Sequence, residues 1–192
     1  MRFNPNKHNR RSIRLRGYDY TAPGAYFITI CTKNRVYLFG TVVDEVMQLN
    51  DAGQMVERWW GEVANKFPTI ELDAFVVMPS HFHAIVAITN AHCDALDAGN
   101  HTGLPLHNVT DATNDRDVRP TLADVIHWFK TMTTNEYIRG VHDLGWSPFD
   151  RRLWHRNYYE PIVRDAAELA RIRIYIEGNP ARWATDQLRT TA

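Results

Sequence analysis

Alternating apolar and polar residues along the chain predict four β-strands. The predicted strands are residues 24–33, 69–78, 81–88 and 152–163. Pro79 and Ser80 predict a tight turn, so the second and third strands should pair in the antiparallel sense. Pro161 lies within the fourth strand and cannot donate a ladder hydrogen bond, which restricts that strand to an edge of the sheet.

Three helices are predicted where apolar residues recur every three to four positions. They are residues 43–66, 122–140 and 166–178. Gly53 would interrupt the first helix, because glycine costs about 1 kcal/mol in a helix interior. Thr121 is the predicted N-cap of the second helix and Gly140 its stop. Asp165, with Glu168 three residues later, predicts the start of the third helix.

The order strand, helix, strand, strand, helix, strand, followed by a further helix, is the split β-α-β arrangement. We therefore predict an α+β, ferredoxin-like fold, with one antiparallel sheet, helices packed on one face and an additional C-terminal helix. Residues 1–22 form a predicted basic arm, and residues 23–192 form one predicted domain. Residues 89–119 are rich in Asn, Asp, Thr and Gly with little periodicity, which predicts a flexible insertion.

Basic side chains are concentrated in two parts of a chain whose net charge is zero when the histidines are neutral. Residues 1–16 hold six Lys and Arg and no acid, and residues 151–164 alternate arginines with aromatic residues. This mixture suits a phosphate backbone with unstacked bases. A flexible tail and a solvated strand face would have the same composition. The candidate DNA contacts are Arg10, Arg11, Arg14, Arg16, Arg152, Arg156 and Tyr158.

Several features argue against secretion and membrane insertion. No apolar run reaches the roughly 18 residues that span a bilayer, and the N-terminus lacks the apolar core of a secretion signal. Two distant cysteines indicate reduced thiols, so we expect a cytoplasmic protein. A cluster of potential metal ligands falls within residues 89–119, but its spacing matches no standard zinc pattern. Its members are His92, Cys93, His101 and His107.

Two histidines flank one phenylalanine in the segment VVMPSHFHAIV, residues 76–86. Because alternate residues of a strand point to the same face, His81 and His83 should stand side by side. Two neutral imidazoles in this arrangement can share a divalent metal, with a third ligand from elsewhere. The simpler interpretation is a pair of histidines on a solvated strand face.

The last predicted helix carries Arg171, Tyr175 and Asn179 at every fourth position, so they line one stripe. A tyrosine hydroxyl and a side-chain amide could therefore project together. Simpler interpretations remain open on spacing alone. Tyr175 could be a core residue with its hydroxyl at the surface, and Asn179 could be a helix C-cap reinforced by Pro180.

The chain resembles the REP-associated tyrosine transposases, a branch of the HUH single-strand endonuclease superfamily that is related to the single-tyrosine transposases of insertion sequences. Five segments carry the resemblance in the same order, outside residues 89–119. They are RRSIRLRGYDYTAPGAYFITICTKNRVYLFG, ELDAFVVMPSHFHAIV, FKTMTTNEYI, WHRNYYEPIVRD and RIRIYIEGNPARW. Three positions depart from the usual pattern: Ser80 replaces Asn, His155 replaces Gln, and Pro161 replaces His.

The resemblance implies a metal-dependent single-strand DNA endonuclease and strand transferase that forms a covalent 5′-phosphotyrosine. It implies that Tyr175 is the nucleophile and its helix the catalytic helix. It further implies that His81, His83 and Asn179 bind the cofactor, Mg²⁺ or Mn²⁺.

The substrate implied by the resemblance is single-stranded DNA beside a REP-like hairpin, which a monomer or a homodimer would bind. Lys130 and Arg171 would join the DNA contacts. Two other functions remain open. A protein derived from a transposase could bind hairpin DNA without catalysis. A hydrolytic metalloenzyme could use the same histidines, but it lacks a convincing carboxylate base near them, and the spacing does not show which way Glu71 and Asp73 of the neighbouring strand face.

Overall fold

A computed structural model describes residues 23–89, 120–186 and 188. Its strands and α-helices are β1 (Gly24–Cys31), β2 (Gly40–Val43), β3 (Val46–Leu49), α1 (Asp51–Lys66), β4 (Ile70–Met78), β5 (His81–Ile88), α2 (Leu122–Asp143), β6 (Ile162–Val163) and α3 (Ala166–Glu177). Short 3₁₀ helices cover Lys33–Arg35 and Pro180–Thr185. Three groups of predicted features lie outside the described residues: the basic arm with Arg10, Arg11, Arg14 and Arg16; residues 90–119 of the insertion; and His92, Cys93, His101 and His107.

The main sheet has four antiparallel strands in the order β4-β5-β1-β6. Both β1 and β4 pair with β5 in the antiparallel sense, so they run parallel to each other with β5 between them. This is the split β-α-β arrangement, and it confirms the predicted ferredoxin-like fold. Within the described residues, none of the helices has both the length and the apolar content of a membrane span.

The core lies between one face of this sheet and helices α1 and α2. Phe82 of β5 is fully buried on that face and pairs across the ladder with Ile30 of β1. Its ring centroid lies 4.9 Å from that of Trp60 in α1 and 5.3 Å from that of Phe129 in α2. Burying a side chain of this size contributes about 1.5–3 kcal/mol. Because neighbours along a strand alternate in direction, the histidines on either side of Phe82 point to the opposite face, where α3 packs.

The predicted helix at 43–66 is wrong over its first two turns. These residues form the hairpin of β2 and β3 instead. Asp44 and Glu45 at its tip have positive φ angles of 49° and 63°, which a helix cannot accommodate. The helix begins only at Asp51, where the Asn50 side chain accepts a hydrogen bond from the backbone of Gly53. Gly53 therefore lies in the first turn and does not interrupt the helix.

Helix α2 has the predicted N-cap but not the predicted end. Thr121 and Asp124 form a reciprocal capping box. The helix continues one turn beyond Gly140 to Asp143. Glycine is required at position 140 for packing, since a Cβ there would stand 2.3 Å from the ring of Trp146.

The predicted fourth strand is reduced to the two residues of β6. The segment before it follows β1 through isolated bridges at Tyr159 and Trp154. The carbonyl of Pro161 accepts a hydrogen bond from the backbone of Phe27. The edge position predicted from Pro161 is confirmed, and the irregular backbone explains why the strand is short.

Candidate active site

His81 and His83 stand side by side on the face of β5 that is directed toward α3. Both side chains are buried, with 0% and 2% exposure, and their ring centroids are 4.7 Å apart. This burial excludes the interpretation of two histidines on a solvated strand face.

Neighbouring hydroxyl groups contact the Nδ1 atom of each ring. The β1–β5 register places Thr29 opposite His83, with Oγ1 of Thr29 lying 2.8 Å from Nδ1 of His83. Oγ of Ser80 lies 3.5 Å from Nδ1 of His81. The Nε2 atoms are left for other partners. Hydrogen bonds to the nitrogen that does not bind the metal hold the ring orientation of metal-binding histidines.

Tyr175 of α3 contacts the histidine pair through His83. Its hydroxyl lies 3.4 Å from Nε2 of His83. The ring of Phe27 stacks on His83 and contacts Tyr175 edge-on.

An ion pair joins α3 to the sheet near Tyr175. Arg173, two residues before Tyr175, forms a bidentate ion pair with Asp73 of β4. The same ion pair occupies the Asp73 carboxylate, which weighs against Asp73 as a hydrolytic base.

Asn179 follows directly after Gly178, which is the C-cap of α3. The interpretation of Asn179 as that cap is therefore wrong. Its side chain is 3% exposed and faces both the His81 ring and the Tyr175 hydroxyl. Its Oδ1 has no hydrogen-bond donor.

Asp186 also faces the histidine pair, and sequence reasoning missed it. Oδ2 of Asp186 lies 3.4 Å from Nε2 of His81, and its side chain is 8% exposed. Oδ1 accepts a hydrogen bond from the backbone of Leu188, whereas Oδ2 has no donor. Asp186 follows the 3₁₀ helix Pro180–Thr185, beyond every element that the sequence pattern predicts, and its spacing gave no signal.

Burial controls the protonation of these groups. It lowers the pKa of His81 to about 4, although the nearby Asp186 charge opposes the shift. Burial, and then the proximity of His81, lowers the pKa of His83 well below its usual value. Both rings are therefore neutral at pH 7, which is the state that binds metals. Burial and the Asp186 charge raise the pKa of Tyr175, while the Asn179 hydrogen bond and the Arg182 charge lower it.

Three buried polar atoms of this site have no well-formed hydrogen bond: Nε2 of His81, Oδ1 of Asn179 and Oδ2 of Asp186. Asn179 and Asp186 nevertheless lie close enough to His81 to oppose the fall in its pKa. Leaving such an atom unsatisfied costs about 1–3 kcal/mol. In the tautomer of His81 that carries its proton on Nδ1, one nitrogen and two oxygens offer lone pairs, and this donor set fits a divalent cation. Within residues 23–89, 120–186 and 188, no three His, Cys, Asp or Glu side chains converge closely enough to form a metal site by themselves. His81, His83 and Asp186 are thus not a ready-made metal site by themselves, and a cation held here would also need the amide of Asn179.

The second basic group lines a cavity of about 420 Å³ between α2 and the segment 151–156. Arg152 and Arg156 are exposed there, as the sequence suggested for DNA contacts. Trp154 is buried and donates to Thr133, so it belongs to the core and is not free to stack on bases. Arg171 is exposed on α3, one turn before the tyrosine.

Lys130 has a different environment from the two arginines. It is half-buried, and its ammonium donates to the backbone carbonyls of His155 and Arg156. It also lies 4.9 Å from the ring centroid of Tyr158, which is half-buried. Lys130 and Tyr158 thus support the segment that presents the exposed arginines.

Comparisons with known proteins agree with this architecture. No family model matches the sequence. An uncharacterised protein of Haemophilus influenzae is 37% identical over 187 residues, which is 97% of this chain and 97% of that protein. A solved REP-associated tyrosine transposase bound to a REP hairpin aligns with a TM-score of 0.53 and 18% identity, over 92% of this chain and 77% of that chain. At this identity, the structural match establishes a shared fold.

Proposed function

We propose that this chain, which belongs to the same family as the Haemophilus influenzae protein and has the fold of the REP-associated tyrosine transposases, is a transposase-like enzyme. Its activity would be metal-dependent cleavage and strand transfer of single-stranded DNA at hairpin-flanked sites. The observation that carries the proposal is the 3.4 Å distance between the Tyr175 hydroxyl and Nε2 of the buried His83.

Tyr175 is the proposed nucleophile. Its oxygen attacks the phosphorus of a phosphodiester, the bond from phosphorus to the 3′-oxygen breaks, and a 5′-phosphotyrosine forms. The phenol loses its proton, and the departing 3′-oxygen gains one. The reverse reaction with another 3′-hydroxyl rejoins a strand without ATP, because the phosphotyrosine keeps the energy of the broken bond.

His81, His83 and Asn179 would hold the cofactor, Mg²⁺ or Mn²⁺. When bound, the cation would neutralise charge that develops on the phosphate and favour the ionised phenol. The neutral imidazoles need no deprotonation before they bind it. The stack of Phe27 on His83 and its edge contact with Tyr175 keep the nucleophile against the pair.

The substrate is expected to be single-stranded, because a duplex hides its scissile phosphate within paired and stacked strands. The fold relative was solved with a REP hairpin. In this chain, Arg152 and Arg156 beside the 420 Å³ cavity, and Arg171 on α3, offer exposed cations for such a hairpin. The N-terminal arginines would extend this contact.

A covalent-capture experiment tests the proposal. The full chain is incubated with Mn²⁺ and a labelled oligonucleotide that carries a hairpin next to a single-stranded tail, and protein–DNA adducts are resolved on a denaturing gel. We expect an adduct with the wild type and none with Tyr175→Phe, which keeps the ring. Tyr159→Phe, at an exposed tyrosine of the segment before β6, is the matched control and should retain the adduct.

Each alternative function has its own outcome in this experiment. An adduct that persists in Tyr175→Phe would show that another tyrosine is the nucleophile. Tight hairpin binding without cleavage by the wild type would identify a silent DNA-binding protein. Rapid strand hydrolysis without any tyrosine-linked intermediate would identify a hydrolytic metalloenzyme.

A further inference from the structure

We propose that Asp186 is a fourth ligand of the divalent cation, an inference that rests on the proposed function and its metal site at His81, His83 and Asn179. The carboxylate comes from the segment after the 3₁₀ helix Pro180–Thr185, whereas the other three groups belong to β5 and the end of α3. Three separate parts of the chain would thus contribute ligands to the cation.

The distance between Asp186 and His81 fits a shared cation better than a hydrogen bond. Oδ2 and Nε2 are 3.4 Å apart. A charge-assisted hydrogen bond between nitrogen and carboxylate is usually about 2.7–2.9 Å long. Two ligands that each lie about 2.1 Å from one metal, at angles between 90° and 110°, stand roughly 3.0–3.5 Å apart. The two atoms have the separation of neighbouring ligands.

The orientation of Asp186 leaves one oxygen directed into the site. Oδ1 is held by the backbone of Leu188 at 2.7 Å, which fixes the carboxylate plane. Oδ2 is buried, has no hydrogen-bond donor and faces His81. A carboxylate oxygen in this position is costly unless a positive charge compensates it. The unsatisfied Oδ1 of Asn179 and Nε2 of His81 in the same site point to one common partner.

A carboxylate ligand would change the chemistry of the site. Carboxylate and carbonyl oxygens suit Mg²⁺ and Mn²⁺, whereas a site of two imidazoles alone suits softer metals. Because the other three ligands are uncharged, Asp186 would also lower the net charge of the metal site from plus two to plus one. The cation would also need open positions for oxygens of the DNA phosphate, which four protein ligands still permit.

Mn²⁺ titration of the full chain without DNA tests this inference, with free Mn²⁺ followed by its electron paramagnetic resonance signal. Asp186→Asn keeps the shape of the side chain and removes its charge. We expect at least tenfold weaker Mn²⁺ binding by this variant. Asp143→Asn, at an exposed carboxylate that ends α2, is the control and should bind like the wild type.

Two further measurements separate ligand loss from misfolding. Pulsed resonance of the bound Mn²⁺ should still show histidine nitrogen couplings in Asp186→Asn, because His81 and His83 remain in place. Without metal, the melting temperature of Asp186→Asn should equal or exceed that of the wild type, because a buried charge has been removed. With saturating Mn²⁺, the wild type should gain more in melting temperature than the variant.

The outcomes distinguish this inference from the proposed function. If Asp186→Asn binds Mn²⁺ within twofold of the wild type, Asp186 is not a ligand, and the proposed function still stands on Tyr175 and its adduct. A metal-free Asp186→Asn protein that melts well below the wild type would also overturn the inference, since Asp186 would then be structural. If the wild type binds no Mn²⁺ at all, the inference and the metal part of the proposed function both fail.

Discussion

Thr29 of β1 and His83 of β5 lie opposite each other in the antiparallel ladder, and their Oγ1 and Nδ1 atoms are 2.8 Å apart. The register of two strands therefore fixes how the imidazole presents its other nitrogen. Nε2 is directed toward the Tyr175 hydroxyl as a result. The sheet determines the orientation of the proposed metal ligand before any metal binds.

Thr29→Val should weaken Mn²⁺ binding by about 10- to 100-fold, because the His83 ring loses the hydrogen bond that holds its orientation. Valine has nearly the same shape and suits a strand, so we expect the protein to remain folded. Isothermal titration with Mn²⁺ measures the change. Thr41→Val, at an exposed threonine of β2, is the matched control. Equal Mn²⁺ affinities of the two variants would contradict the role assigned to Thr29.

Two helix glycines should respond in opposite directions to alanine. A Cβ at Gly61 of α1 would meet nothing within 4 Å, so Gly61→Ala should raise the free energy of unfolding by about 0.5–1 kcal/mol. A Cβ at Gly140 of α2 would stand 2.3 Å from the Trp146 ring, so Gly140→Ala should lower it by about 1–3 kcal/mol. Urea unfolding of both variants measures the difference. A Gly140→Ala protein as stable as Gly61→Ala would show that the Trp146 loop moves freely.

The strand period made the central part of the fold predictable from sequence. In β5 the alternation alone assigned Phe82 to one face and His81 and His83 to the other, and the structure confirms that division. The result is robust because a shift of one residue would exchange both faces and bury the histidines in the apolar core. Tyr175 could also be placed, since a spacing of four residues defines one face of a helix.

Two features could not be predicted, for different physical reasons. In the β2–β3 hairpin each strand has only four residues, and Val46, Met47 and Leu49 fit a helical period as well as a strand period. Its tip, Asp44-Glu45, lacks the Asn-Gly or Asp-Gly signal of a tight hairpin turn. The position of Asp186 depends on how the chain folds back after α3, which is a tertiary event without a local signal.

The ion pair between Arg173 and Asp73 should position Tyr175, the proposed nucleophile, more than it stabilises the fold. Both side chains are partly exposed, and exposed pairs add little to stability. The pair nevertheless joins α3 to β4 two residues from Tyr175. Arg173→Asp and Asp73→Arg should each slow adduct formation severalfold with little change in melting temperature. The double exchange should recover part of the rate.

The matched control for this exchange is the pair Arg164–Glu168, which links the residue after β6 to the first turn of α3, seven residues before Tyr175. Its reversal should leave the rate of adduct formation unchanged. A double exchange of Arg173 and Asp73 that is slower than both single variants would contradict the positioning role, because restored attraction would then have no benefit.

Lys130 should make the stability of the protein rise with pH in the alkaline range. Burial lowers its pKa to about 8 in the folded state, with opposing effects of Cys31 and Glu160, whereas an unfolded lysine titrates near 10.4. Between these values the unfolded chain binds more protons than the folded one, so the free energy of unfolding increases with pH. At pH values below the pKa of Lys130 in the folded protein, the buried ammonium lowers the free energy of unfolding by its full amount. At pH values above the pKa of Lys130 in the unfolded chain, this destabilisation is absent.

The Lys130→Met variant isolates this effect, since methionine retains an apolar stem and does not titrate. The free energy of unfolding of the wild type, minus that of Lys130→Met, should increase by on the order of 2 kcal/mol between pH 7.5 and pH 10. Urea unfolding at several pH values measures the difference, and other titrating groups cancel between the two proteins. Lys66→Met, at an exposed lysine that ends α1, controls for the loss of a positive charge. A difference for Lys130→Met that stays constant or falls over this range would show that the ammonium is solvated in the folded protein.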